Sequence, residues 1–558
     1  MPNLSRVNRM AAWATAVLLC SSSVLAAQAG GGESCPVASP QSAAAGLAMA
    51  SAARAPRLGD GISVRSESTG PYDPQAAAAR REAERRTFER ILASRPVLPA
   101  SPAFALSITP QQRESIEQGT GGGRLRVGTA LAIGQGVDFS RLDRAASARS
   151  ELEFARGTLR VTAASAVWEV EVASAQASAL RLQFGEVSLA PGVELYVYDE
   201  NGRVVGPYTG NGPDGSGGFW SNSVFGDRVH VHVHAPDLAS LQTSRFTLTQ
   251  AMHFGSRYRL ADLARQRYEV GPSPDRDFCG TAVPTCTLDG MCALPSNAGL
   301  ANAVKGVAHL QYMDGADGFI CTGTLLNTIF EGPSSEAGTA AGRPLYLLTA
   351  NHCISNQTSA ASLEAYFNYH TASCGGTCPT AADLVEVDGG TLLTTGAAPA
   401  LPDFTLLRLP VPPVGAGLMR LGWTSETVGE GWYLMHLSHP EGAPLAYSHR
   451  RARLNNVAVP HCTVAPEPTF LYSGLAVPTS NPPESAGAVA SGSSGSAALA
   501  FLDDYSDVQV VGQLFGHCPG AGDVCDANTD STVDGSFRVA FPYLQRFLVD
   551  RIFANGFD

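Results

Sequence analysis

Between about residues 145 and 250 apolar and polar positions alternate with a period of two. Val167–Val172, Leu180–Phe184, Glu194–Tyr198 and Val229–His234 are the clearest runs, and Pro-Gly, Asn-Gly and Pro-Asp-Gly turns separate them. This pattern predicts a β-sandwich over residues 145–250. His230, His232 and His234 alternate with valines and so share one strand face. No cysteine or acidic partner stands at metal-ligand spacing, so a solvated face is expected there and no metal site. From Cys279 to the end, short apolar runs again alternate with Gly/Pro/Ser loops: Gly306–Tyr312, Cys321–Leu326, Leu345–Ala350, Thr405–Leu409, Ala497–Leu502 and Val508–Phe515. Residues 279–558 therefore read as a second all-β unit, long enough for two small barrels.

A different pattern precedes the sandwich. Asp73-Pro74 opens a helix to about Ile91, with an N-cap and a first-turn proline. Its mixed Arg and Glu residues suggest a solvated helix. Residues 30–72, rich in Ala, Ser and Gly, are expected to be poorly ordered, and 30–144 as a whole read as a low-complexity and helical pro-region. Residues 251–278, with Arg257, Arg259, Arg265, Arg267 and Arg276, read as an exposed linker suited to processing.

Composition narrows the class. At 558 residues two or three folded units are expected. The 58 glycines and 36 prolines suit strands and turns, and the formal net charge of −12 argues against a nucleic-acid partner. Arg6 and Arg9, the apolar run Met10–Leu19 and small residues closing at Ala26 or Ala29 read as an export signal over residues 1–29. Cys20 follows Leu19, which disfavours a lipid anchor, and no later run is long enough to predict a membrane span. Ten of the 12 cysteines begin at Cys279, as in a disulfide-stapled exported domain. They lack the paired C-x-x-C spacing of zinc sites. The basic residues include a single lysine, Lys305.

Three segments carry chemistry. The strand Leu347–Ala350 runs into His352 and Cys353, Asp403 opens the strand that follows it, and Ser494 sits in Gly492-Ser493-Ser494-Gly495-Ser496 before another strand. A serine hydroxyl needs a base to remove its proton; imidazole supplies one near neutral pH, and a buried carboxylate fixes its tautomer. The glycines let the N–H groups of Gly492 and Ser494 serve as an oxyanion hole. Each segment alone is commonplace. Histidine, aspartate and serine in this order, 51 and 91 residues apart in one disulfide-rich β unit, form a specific combination.

On these residues 279–558 resemble a trypsin-like serine protease with the chymotrypsin double barrel. More narrowly, they resemble the bacterial lysyl endopeptidase family through Cys321–Asn327, Phe367-Asn368-Tyr369, Ser438-His439-Pro440, Gly512-Gln513-Leu514 and the spacing of Cys286 and Cys292. The fold class expected for the chain is all-β: this double barrel preceded by the sandwich prodomain and its N-terminal helix. The resemblance implies disulfides Cys321–Cys353 and Cys292–Cys374, with Cys286 joined to Cys518 or Cys525. Cys279, Cys378, Cys462 and the remaining cysteine would form two further bridges. It also implies a substrate pocket around Asp534, four residues before Arg538-Val539, with Phe515 and Gly516 lining it. The trypsin position for that carboxylate, six residues before the serine, is Ala488. Two departures stand out: Phe515 replaces a histidine of the family, and no tryptophan lies between Trp432 and Ser494.

The expected reaction is peptide hydrolysis through an acyl-enzyme on Ser494, after Lys with Arg as an open alternative, in a secreted precursor acting on polypeptide substrates without a cofactor. Ser493 stands where mammalian zymogens place the aspartate that receives a new N-terminus, so control falls to the chain's own propeptide as folding aid or inhibitor. No lysine lies in 257–278, so self-processing there would need tolerance of arginine, or another protease. Two other classes compete: a noncatalytic adhesion protein working through its sandwich, and an exported esterase. The esterase reading lacks the final glycine of G-x-S-x-G, where Ser496 stands. Residues 551–558 form an apolar tail read either as a sorting signal or as a docked chain end.

Overall fold

The computed structural model describes residues 61–99, 102–119, 123–142, 151–258, 260, 277–281, 283–296, 298–329, 343–453, 468–474, 487–501, 506–518, 524–526 and 530–549. The export signal, most of the processing linker, Cys462 and the tail at 551–558 lie outside the described residues.

The helix runs from Pro74 to Ser94, and the Asp73 carboxylate accepts the N–H groups of Gln75 and Ala76. It is docked on one side. Ala77 and Ile91 are buried, and Phe88 meets the edge of Tyr198 at 6.0 Å. Only its Arg85–Glu82 and Arg85–Glu89 side keeps the solvated character its composition suggests. A second helix, Pro110–Gln118, closes on a Thr109/Gln112 capping box and ends at Gly119, whose φ is 64°.

The sandwich packs two sheets. One orders Val204–Tyr208, Glu194–Tyr198, Arg228–Ala235, Ala166–Ser174, Gly157–Val161 and Glu151–Phe154. The other contains Ala179–Ser188, Arg245–Phe254 and Leu125–Asp138. Between them Trp168, Phe139, Phe184 and Phe246 form one aromatic core. The sandwich thus takes in two strands inside the span read as pro-region, Leu125–Asp138 and the short Phe104–Leu106 that pairs with Ala166–Ser174, and its last strand reaches Phe254, inside the span read as linker. Glycines at 128, 134 and 136 interrupt the apolar alternation that would have betrayed the first of these strands.

The histidine face is not solvated at His230 and His232, while His234 at its end is half-buried. His230 and His232 are each 1% exposed because the helix Pro74–Ser94 and the rings of Tyr196 and Tyr198 cover that side of the sheet. His232 Nδ1 lies 2.7 Å from Glu169, and His230 stacks on Tyr198 at 4.8 Å. This is an internal polar cluster between strands.

Two barrels follow. The first is built from Val307–Asp314, Asp317–Leu326, Leu345–Ala350, Glu364–Phe367, Val385–Asp388, Thr391–Gly396 and Phe404–Leu409. In the second, Val508–His517 pairs with both Ala497–Phe501 and Ser531–Ser536, closing a ring through Tyr433–Ser438, Ala446–Arg453 and Phe470–Gly474. The helix Phe537–Leu548 seals its end, with Trp423 against Phe537 and Phe541 at 5.5 and 5.2 Å. Bridges join Cys321–Cys353, Cys292–Cys374, Cys286–Cys525 and Cys279–Cys378, so Cys286 takes the second of its two possible partners.

The N-terminal part grips both barrels. Leu125–Asp138 pairs with Asp317–Leu326, carrying one sheet from the sandwich into the first barrel. Ser63-Val64 adds to Gly422–Thr424 of the second, and Ser66 binds Asp507 through N–H and Oγ, both at 2.7 Å. From residue 61 onward, then, the Ala/Ser/Gly stretch contains ordered edge strands, because the barrel offers it unpaired backbone. Arg203–Glu386 at 2.6 Å and the buried Arg181–Glu364 pair at 3.3 Å fix the sandwich laterally.

Candidate active site

Strand register brings the first two residues together. Ala350 pairs with Phe404, so the residues just beyond, His352 and Asp403, meet at the mouth of the first barrel. Asp403 has φ 51°, a left-handed conformation aspartate tolerates better than most residues. Its carboxylate thereby accepts the His352 backbone N–H at 3.1 Å and faces His352 Nδ1 at 2.7 Å. Asp403 is buried, and the Cys321–Cys353 bridge ties the histidine loop to the neighbouring strand. This contact holds Nδ1 toward the carboxylate and leaves Nε2 as the reactive nitrogen.

Ser494 arrives on the second barrel's loop. Gly492 and Gly495 have φ of 94° and 80°, and a Cβ on Gly495 would lie 2.6 Å from the Thr322 carbonyl oxygen. Both positions require glycine. Thr322 ties this loop to the first barrel: its N–H donates to the Ser494 carbonyl and its hydroxyl to the Gly492 carbonyl, both at 2.9 Å. Thr322 Oγ1 also accepts the His439 N–H at 3.1 Å. His439 is itself structural. Its ring stacks on Tyr369, Nδ1 lies 2.9 Å from the Ala443 carbonyl oxygen, and burial pushes its pKa down to about 3, keeping it neutral.

Ser494 Oγ and the Asp403-oriented His352 Nε2 face one point, and a backbone already occupies it. A methyl group built on Gly123 would lie 3.0 Å from Ser494 Oγ and 3.2 Å from His352 Nε2. Gly123 is where the chain passes from the helix Pro110–Gln118 into the strand Leu125–Asp138. Its carbonyl oxygen accepts the Gly492 N–H at 3.3 Å. His352 Nε2 is buried without a hydrogen-bond partner, so the Ser494–His352 hydrogen bond is not formed in this state. Around this strap, Arg124 bonds Asp314 at 2.7 Å and lies 3.8 Å from the centre of the Phe319 ring. Arg257 pairs with Glu441 and donates to the Glu117 carbonyl. No feature of composition marks the strap beyond the glycines preceding Arg124.

Asp534 lies on Ser531–Ser536, opposite Leu471 and Leu514, and is fully buried. Neither carboxylate oxygen has a hydrogen-bond partner, while His436 Nε2 stands 3.3 Å from Oδ1. Phe515 meets the His352 ring edge-on at 5.8 Å and Phe470 at 5.5 Å, so it flanks the histidine. Gly516 has open space where a side chain would project. His436, on the strand Tyr433–Ser438, is the neighbour of Asp534 that sequence reasoning did not single out.

Comparisons with known proteins agree in outline. Residues 106–255 match the family described as "Lysyl endopeptidase N-terminal domain", and residues 281–534 the one described as "Lysyl endopeptidase, C-terminal domain". A protein named "Lysyl endopeptidase" from Pseudomonas aeruginosa is 31% identical over 280 residues, which are 49% of this chain and 54% of that relative. The chain thus spans about half the length of the curated relative it matches. The two matched stretches cover well over half of the chain and follow one another in family order, and the chain belongs to the lysyl endopeptidase-like proteases.

Proposed function

We propose that this chain is the precursor of an exported serine endopeptidase that prefers Lys before the scissile bond, with Arg as the open alternative, and that its own N-terminal part holds it inactive. The observation that carries the reading is the meeting of the Asp403-oriented imidazole and the Ser494 hydroxyl at one point beside the Gly492 N–H. In the acyl-enzyme route Ser494 attacks the scissile carbonyl while His352 takes its proton. The imidazolium returns that proton to the leaving amine, and water repeats the sequence to release the acid. Gly492 and Ser494 N–H groups would stabilise the oxyanion. The four bridges among the described residues and the export signal expected over residues 1–29 fit an oxidising compartment outside the cytoplasm. Fluorophosphonate labelling that disappears in Ser494→Ala, with peptide-library profiling and N-terminal sequencing of the mature form, tests the proposal. A dominant preference for acidic or large apolar residues would refute the pocket and spare the triad.

Inhibition follows from the strap. The Gly123 carbonyl takes the hydrogen bond that a substrate carbonyl would need, yet glycine extends nothing toward Asp534. The adjoining arginine side chain is drawn away to Asp314. The intact precursor should therefore react with the fluorophosphonate far more slowly than processed protein. Gly123→Val should raise the precursor's labelling rate roughly tenfold, because φ 94° strains any side chain by about 1–3 kcal/mol. Equal rates for intact and processed wild type would contradict the inhibitory role.

A further inference from the structure

We infer that the tip of the hairpin formed by Val307–Asp314 and Asp317–Leu326 is a second substrate subsite, one that takes an arginine directly after the scissile bond. The inference rests on the proposed endopeptidase reading and deepens it, by naming the residue that follows the cut. The strap supplies the register. Its Gly123 carbonyl oxygen accepts the Gly492 N–H, a donor of the proposed oxyanion hole, and the same residue stands against Ser494 Oγ and His352 Nε2. Gly123 thus holds the place of the residue whose carbonyl is attacked. Arg124 then holds the place of the first residue to leave with the amine.

Beyond that point the strap runs on as a strand. Leu125 pairs with Ile320 and Arg126 with Phe319, antiparallel, along the edge of Asp317–Leu326. In the processed protein the departing segment of a substrate can take the same edge, because main-chain pairing asks nothing of its sequence. The side chains on that edge do. Arg124 donates to Asp314 Oδ2 at 2.7 Å and lays its guanidinium 3.8 Å from the centre of the Phe319 ring. The other Asp314 oxygen accepts the Ser359 hydroxyl at 3.4 Å, which orients the carboxylate. Arg126, two positions on and so on the same face of an extended chain, bonds Asp317 and the Ser115 hydroxyl.

Asp314, Asp317 and Phe319 belong to the first barrel, on the protease side of the linker at 251–278, so the subsite outlasts the strap. A planar guanidinium suits it, since it can bond a carboxylate and stack on a ring at once. The Asp314 side chain stays 33% exposed even beneath Arg124, so its ion pair contributes a modest factor and the ring a comparable one. This subsite lies on the opposite side of Gly123 from the Asp534 pocket in chain order, and the two read different substrate residues.

The test is a set of ratios. For the full chain, secreted and allowed to process, kcat/KM is measured on peptides that differ only in Arg, Gln or Glu directly after the cut lysine. Mass spectrometry of the products counts cleavage between that lysine and its neighbour alone, so cutting after Arg does not enter. Arg should exceed Gln by about fivefold, the scale of one part-exposed ion pair with a stacked ring, and Glu should fall below Gln. The Arg/Gln ratio should shrink at high salt and in Asp314→Asn, and Asp314→Lys should favour Glu over Arg. Equal rates for Arg and Gln in wild type would overturn the inference and leave the Asp534 pocket standing. An Arg preference undiminished in Asp314→Asn would also overturn it. A parallel series with norleucine in place of the lysine tests the Asp534 pocket separately. The wild-type ratio and its salt dependence decide the matter even if a variant fails to fold.

Discussion

Ser494→Ala, processed by an added protease where it cannot process itself, should lose roughly 10⁶-fold in kcat, the scale on which an intact serine triad contributes. The Nδ1 contact of His352 with Asp403 leaves Nε2 on the side of Ser494 Oγ, and both face the point occupied by Gly123. In the proposed reading the strap departs on processing and the two groups close into a hydrogen bond, in keeping with the loose geometry of unliganded catalytic sites. Removing the hydroxyl leaves the loop's backbone bonds intact, including Thr322 N–H to the Ser494 carbonyl, so the thermal midpoint should hardly move. Asp403→Asn should cost about 10⁴-fold, because an amide can hold the ring in the wrong tautomer. Stopped-flow acylation with an activated ester, alongside thermal unfolding, separates chemistry from folding. A Ser494→Ala protein retaining more than a few per cent of wild-type acylation would end the assignment.

Much of this site was legible because its parts sit at strand ends, where local pattern and chemistry coincide. Leu345–Ala350 is bounded correctly as an apolar run and Glu194–Tyr198 from alternation, and glycines around Ser494 announce a special backbone. What escaped depends on contacts between distant segments. The histidines at 230 and 232 look solvated by period, yet a helix some 140 residues earlier covers them. Leu125–Asp138 is rich in glycine and owes its form to partners on both sides. The C-terminal helix buries Phe537, Ala540, Leu544 and Leu548 at helical spacing, but Pro542 disguises it. The strap is the extreme case: a glycine carries no side-chain signal, and its consequence appears only when the second barrel is placed against it.

Asp534→Ala should invert the substrate preference of the processed protein. A lysine side chain entering an apolar, water-poor pocket loses hydration worth several kcal/mol unless a carboxylate meets it. Asp534 is flanked by Leu471 and Leu514, and its oxygens are committed to no hydrogen bond within the protein. Truncation therefore removes the counter-charge without breaking a bond that holds the barrel. It leaves His436 as the remaining ionisable neighbour. No negative charge is left to meet the cation, so kcat/KM for a Lys peptide should fall by about 10³-fold, near 4 kcal/mol at 1.4 kcal/mol per decade. Turnover of an ester with a neutral side chain should change little, since Asp403, His352 and the Gly492 N–H lie elsewhere. The contrast between substrates is what identifies a pocket residue: misfolding or damage to the triad would depress both rates together. A Lys preference that survives the alanine would place the cation's partner on another carboxylate.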